Sequence, residues 1–191
     1  RTNINITDEP KKFTLNDKQM DYAGSANLQT GEITFYTSAL SPTTVAPVAA
    51  HEIMHGTFQT VLNKFEEEQK AISEYADDII KATGELKPEF VKQFPTYAKI
   101  WPLYERQQSQ LVKEAGVTPY STAYWDDNKA GKEVTYQLAV HETLAEIASG
   151  NEATGAINGS KVWRDLYKAV GQEYRYITGV RKRKSIDAQM F

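Results

Sequence analysis

The chain has 191 residues, 40% of them hydrophobic, enough for one domain with a core of its own. Its formal net charge is −3, so no global field draws it to nucleic acid or to a membrane surface. It contains no cysteine, which removes disulfides, thiolate zinc sites and a cysteine nucleophile together.

Residues 1–12 are polar and read as an arm or a first strand, with Ile4 and Ile6 alternating. Phe13 to Asp21 carries mixed signals, and Ala23-Gly24-Ser25-Ala26-Asn27 reads as a turn. Leu28 to Thr37 predicts a hairpin, or a strand following a turn. Thr30-Gly31 makes the turn, and Ile33 and Phe35 alternate with Thr34 and Tyr36. Ser41-Pro42-Thr43-Thr44 then offers hydroxyl caps for a helix, and Pro47 falls in its first turn, where a missing N–H costs little.

That helix carries the most informative stretch of the chain, His51-Glu52-Ile53-Met54-His55. The pattern is H-E-x-x-H. Histidines four apart leave one face of a helix a turn apart, so both rings can hold one zinc ion at about 2.0–2.1 Å. Glu52 then lies beside the metal's open position, where a carboxylate can move a proton from water to a leaving group. Ile53, Met54, Phe58, Val61 and Leu62 supply apolar faces for burial. Gly56 would allow another segment to come close. A strand just before such a helix matters, because an edge strand beside a metal can bind an extended peptide through its main chain.

The helical pattern continues from Asn63 to Thr83, with Gly84 as its stop. Glu66-Glu67-Glu68 and Asp77-Asp78 read as a solvated face. Pro88, Pro95 and Pro102 break the next region into short helices, and Glu105 to Ala115 is helical with Gly116 closing it. Residues 64–116 therefore read as a helical insertion in a single domain spanning 1–191. Gly116 to Lys132 reads as an aromatic loop, a candidate cleft wall. A helix from about Lys132 to Ser149 follows, closed by Gly150-Asn151. The segment Ser160 to Tyr176 forms an amphipathic helix, and 181–191 a basic tail.

A catalytic zinc usually keeps three protein ligands. His51, His55 and His141 are all the histidines of the chain, and Glu142 adjoins the last. Neighbouring residues diverge on a helix, so only one of His141 and Glu142 faces a metal. Glu142 is favoured as the ligand, with His141 its rival. Glu146 lies one turn on from Glu142 and could orient a metal-bound histidine.

His51-Glu52-x-x-His55 followed by Glu142-x-x-Ala145-Glu146 resembles the gluzincin pattern, and specifically the zinc-peptidase domains of anthrax-lethal-factor type. The likeness covers two helices and a loop. It implies an α+β, mostly helical zincin-like fold with a small sheet beside the H-E-x-x-H helix. It also implies Zn2+ as cofactor, Glu142 as third ligand and Glu146 in support. That family has a tyrosine before the second helix that stabilises the transition state. Val117-Thr118-Pro119-Tyr120-Ser121 resembles its surroundings, so Tyr120 takes the role, with Tyr124 and Tyr136 as alternatives. Two departures stand out: the stretch from 122 to about 135, and the long gap between His55 and Glu142. A weaker likeness links the same residues to zincin domains of phage minor head proteins.

The expected activity is that of a zinc metallopeptidase, a hydrolase cleaving peptide bonds of a peptide or protein substrate through a zinc-activated water. The alternative is a non-catalytic zincin-fold binding or assembly protein, for example one associated with a phage head. No apolar run reaches membrane-span length, so the chain reads as soluble. Composition leaves the compartment open; the resemblances imply a bacterial-type setting, secreted or phage-associated. Beginning at Arg1, it reads as an excised or processed product.

Overall fold

A helix of 29 residues, α1 (Val45–Ser73), runs through the computed structural model, which describes residues 3–15, 17–116, 119–131, 133–150 and 160–180. Ser41 opens it: its carbonyl accepts from the Val45 N–H at 3.0 Å and its hydroxyl from the Thr44 N–H at 3.3 Å. Met54, Phe58, Val61, Leu62, Phe65 and Ile72 recur at helical spacing and are buried, so one face of α1 forms the spine of the core.

Five strands precede it: β1 (Ile4–Thr7), β2 (Lys12–Leu15), β3 (Lys18–Asp21), β4 (Gly24–Asn27) and β5 (Glu32–Tyr36). β2 and β3 form an antiparallel hairpin, Leu15 opposite Lys18, with Asp17 at φ 61° in its turn. The other three make a sheet in the order β1-β5-β4, with β1 parallel and β4 antiparallel to β5. The segment 23–27, expected as a turn, is thus mostly strand β4, and 13–21 is a hairpin. Ile4 and Ile6 do alternate on β1, but both are exposed, because β1 is the outer strand away from α1.

Helices follow as α2 (Ala76–Ile79), α3 (Pro95–Ile100), α4 (Gln108–Glu114), α5 (Pro119–Lys129), α6 (Glu133–Ser149) and α7 (Lys161–Ile177). The architecture is α+β with a small sheet. α6 packs along α1 and α5 along α6, and α7 and α3 also pack against α1. Residues 64–73 continue α1, and the segment to 116 shares one hydrophobic core with it through Phe65, Tyr97, Ile100 and Tyr104. The helical pattern expected to run to Gly84 stops at Ser73; a short turn of helix and a bridge between Ile80 and Leu86 fill the interval.

Two further expectations change. The stretch 116–132 contains α5, not a continuous loop. Pro119 begins it, and Ser121 and Trp125, four apart, are buried beneath it, with the Trp125 indole N–H donating to Thr143 Oγ1 at 3.0 Å. The acidic run at 66–68 is not uniformly solvated: Glu66 and Glu67 are exposed, but Glu68 is buried and accepts from the Tyr97 N–H at 2.8 Å. Its carboxylate satisfies a backbone donor in the first turn of α3, which begins at Pro95. The basic tail at 181–191 lies outside the described residues.

Glu68→Ala strands that buried N–H. The expected loss of stability is about 1–3 kcal/mol, read from the urea unfolding midpoint at unchanged slope, whereas Glu67→Ala should leave the midpoint within error.

Candidate metal centre

α1 and α6 bring three donors to one point. His51 Nε2 and His55 Nε2 stand 3.2 Å apart. Glu142 Oε2 is 3.5 Å from His51 Nε2, and Glu142 Oε1 is 3.6 Å from His55 Nε2. One donor atom from each residue falls in a group within 4.8 Å. Tetrahedral bonds of about 2.0–2.1 Å to nitrogen and oxygen place ligand atoms about 3.3–3.4 Å apart, so the donor spacing fits a small tetrahedral cation. Glu142 Oε2 is also buried without a hydrogen-bond partner among the described residues. A buried carboxylate is costly unless it is paired or coordinates a metal.

Local sequence explains the convergence. His51 and His55 are one turn apart on α1, and Ala139 and Ala145 are fully buried on α6, small enough for that helix to lie close. His141, the rival ligand, turns away. Its Nε2 stands 3.1 Å from Gln59 Oε1, and its ring meets Phe58 edge to face at 4.7 Å between centroids. Gln59 continues the His51, His55 row by one more turn, and its side chain donates to Asn63 Oδ1. The same four-residue spacing in the sequence was the signal for Gln59.

Burial shifts the proton affinities of the site. It pushes Glu52 up to about 7; His51 opposes the rise and Glu142 adds to it. Burial, with repulsion from His51 and His141, holds His55 well below its ordinary value. Burial likewise brings His141 to about 4. For His51, burial works against the charge, but Glu142, Glu52 and Glu146 outweigh it and raise the ring. His55 and His141 are therefore neutral at pH 7, and neutral imidazole is the form that binds metal.

Glu52 is buried against β4. A Cβ on Gly24 would stand 2.8 Å from both Glu52 Cγ and Oε1, so only glycine leaves room for the carboxylate there. Two clefts meet at His51, Glu52 and Gly24. One, of about 520 Å³, is walled by Phe13, Met20, Tyr22 and Val48, with Glu146 on its far side. The other, of about 410 Å³, runs along Gly24–Leu28 with Lys11 on its wall. β4 is the sheet's edge beside the site. Tyr36 N–H donates to Ala23 O at 3.1 Å, so by alternation Ala23, Ser25 and Asn27 face β5, while Gly24 and Ala26 turn their N–H and C=O outward.

Glu146 is buried one turn beyond Glu142. Of the tyrosines considered, Tyr120 lies in the first turn of α5 but its side chain lies outside the described residues. Tyr136 is buried with its hydroxyl donating to Tyr104 O at 3.0 Å, and Tyr124 packs against the core. Neither Tyr124 nor Tyr136 lines either cleft; Tyr22 lines both. Gly56, expected to admit a neighbouring segment, has nothing within 4 Å of a Cβ built on it. Gly24, Tyr22, Lys11 and Gln59 escaped the sequence reading. Comparison with known proteins finds no matching family model, curated protein or solved structure.

Two outcomes follow. Purified protein loaded with zinc and dialysed should hold about one ion per chain by elemental analysis, with Glu142→Ala losing it and His141→Ala keeping most of it. In the metal-free protein, a Glu52 raised from 4.5 to about 7 lends stability that is complete below pH 4.5 and lost as pH rises through about 7. Glu52→Gln has no such loss, so urea unfolding should find it progressively more stable relative to wild type from pH 4.5 to 7.

Proposed function

We propose that the chain is a zinc-dependent peptidase of zincin-like architecture. The observation that carries this reading is the convergence of His51, His55 and Glu142 at ligand spacing, with the buried Glu52 carboxylate beside them. The likeness of H-E-x-x-H followed by E-x-x-A-E to gluzincins of anthrax-lethal-factor type supports the same assignment. His51, His55 and Glu142 would hold the ion, which when bound supplies Lewis-acid activation of water and of a carbonyl group.

The protein's own groups do the rest. β4 offers the outward N–H and C=O of Gly24 and Ala26 to an extended peptide, which fixes its backbone beside the donors. The cleft walled by Phe13, Met20 and Tyr22 receives an apolar side chain of that peptide and excludes water around it. Glu52 takes a proton at a carboxylate oxygen from the attacking water and delivers it to the nitrogen of the departing amine. Its raised proton affinity suits both transfers near neutral pH. Glu146, buried beside His51, favours that ring's proton on the nitrogen facing away from the donors.

Glu52→Gln keeps the carboxylate's shape and removes its basicity. The expected result is full zinc content with turnover of a cleaved library peptide reduced by about 10²–10⁴. Unchanged turnover would sink the assignment of Glu52. A zinc-loaded wild type that cleaves no peptide in the library would favour a non-catalytic binding protein.

A further inference from the structure

Lys11 is the one cation among the described residues lining either cleft. Its carbonyl accepts from the Tyr22 N–H at 2.8 Å, which ties it to the base of the β2–β3 hairpin just before β4. Its ammonium stands 5.2 Å from the centre of the Tyr22 ring and 5.9 Å from that of Tyr36. Aromatic faces at such distances attract a cation and limit the arc its long side chain sweeps. No described carboxylate lies within ion-pair distance of it, although other lysines of the chain are paired, Lys64 with Glu67 and Lys99 with Glu173. The same cleft is lined by Glu52 and Glu142. An exposed cation on its wall, unpaired among the described residues, is placed to meet an anion on whatever lies along β4.

We propose that Lys11 recognises a carboxylate of the bound peptide, so that the cleft selects acidic peptides. The carboxylate is an Asp or Glu side chain or a free C-terminus. This rests on the reading of the cleft as a peptide site but not on turnover. Lys11 sits along the Gly24–Leu28 half of the groove, and Phe13 and Met20 along the other. The two halves therefore ask for different side chains on the two sides of the peptide's central bond.

The test is binding to the zinc-loaded Glu52→Gln full-length chain, using a peptide library with Asp, Asn or Lys at each position and with free or amidated C-termini. Wild-type Lys11 should prefer Asp to Asn at one or two positions by about two- to fivefold, the range of an exposed ion pair, and the preference should shrink in added salt. Lys11→Met should abolish the preference, and Lys11→Glu should transfer it to Lys at the same positions. If amidation weakens binding to wild type but not to Lys11→Met, and Asp and Asn peptides bind alike, the recognised group is the C-terminus; if amidation has no effect and Asp is preferred, it is a side chain. An Asp-over-Asn ratio or an amidation effect that is unchanged in Lys11→Glu overturns the proposal, as does the absence of both effects or of any peptide binding in wild type. The peptidase reading fails separately: a Glu52-containing, zinc-loaded chain that cleaves none of the peptides it binds leaves the Lys11 preference standing.

Discussion

The contact between α1 and α6 is the constraint on which the rest depends. Much of their contact is apolar or small, with Phe58, Val61, Leu144 and Ala145 fully buried, and His141 of α6 meets Gln59 of α1. At one level of the interface they instead present two imidazoles and a carboxylate to each other. Apolar residues of similar volume would hold two helices together at least as well, and a buried charged group needs a partner to offset its desolvation. The raised proton affinity of Glu52 and the depressed ones of His55 and His141 share burial as their largest cause. A divalent cation among the donors would oppose the rise at Glu52 and reinforce the neutral state of the rings, since it favours the ionised carboxylates and the neutral rings together.

Such a site needs rigid support, and the aromatic core supplies it. Phe58 lies edge-on to both His141 and Tyr104; Phe65 meets Tyr104 edge-on and stacks on Tyr97, which stacks in turn on Trp101. The series runs from the residue beside Glu142 into the region of α3. Buried acids tie its outer part: Glu68 accepts from the Tyr97 backbone, and Glu173 on α7 accepts from Thr96 at 2.8 Å and Lys99 at 2.7 Å. The segment between His55 and Glu142 thus does more than fill a gap in a motif. It builds the surface on which α6 rests, and α6 carries the third donor.

What could be read in advance follows from how local the signals are. H-E-x-x-H is a pattern within one turn and a half of helix, and Glu142 with Glu146 one turn on is another; both readings rest on helical spacing alone. The choice of Glu142 over His141 was not fixed by periodicity, because both leave α6 one residue apart. In the structure His141 meets Gln59, eighty-odd residues away in sequence, while Glu142 stands with His51 and His55, a placement no local pattern shows. α5 was misread because its buried face is narrow: Trp125 supplies most of it, and polar residues fill the remainder. Glu68 was misread because a run of acids looks solvated until one of them meets a stranded backbone N–H. The hairpin at 12–21 had a cue in Asn16-Asp17 between alternating runs, weaker than the usual pairs ending in glycine.

The sheet belongs to the same arrangement, because it fixes the direction of the open edge. β5 is paired on both sides. Ile33 donates to Asn3 O toward β1 and Tyr36 to Ala23 O toward β4, so alternate residues of β5 serve opposite neighbours. That alternation leaves β4 no freedom: residues 23, 25 and 27 are consumed, and only 24 and 26 can point outward. Gly24 is also the position where any side chain would lie on Glu52. One residue thus joins a free main-chain pair to the proton-carrying carboxylate, and a register slip of a single position would separate them. Tyr22 and Lys11, tied to each other by a backbone hydrogen bond two residues earlier, inherit their places along the cleft from the same strand. The small sheet is therefore part of the candidate site: it sets where an open main-chain edge lies relative to the donors on α1 and α6.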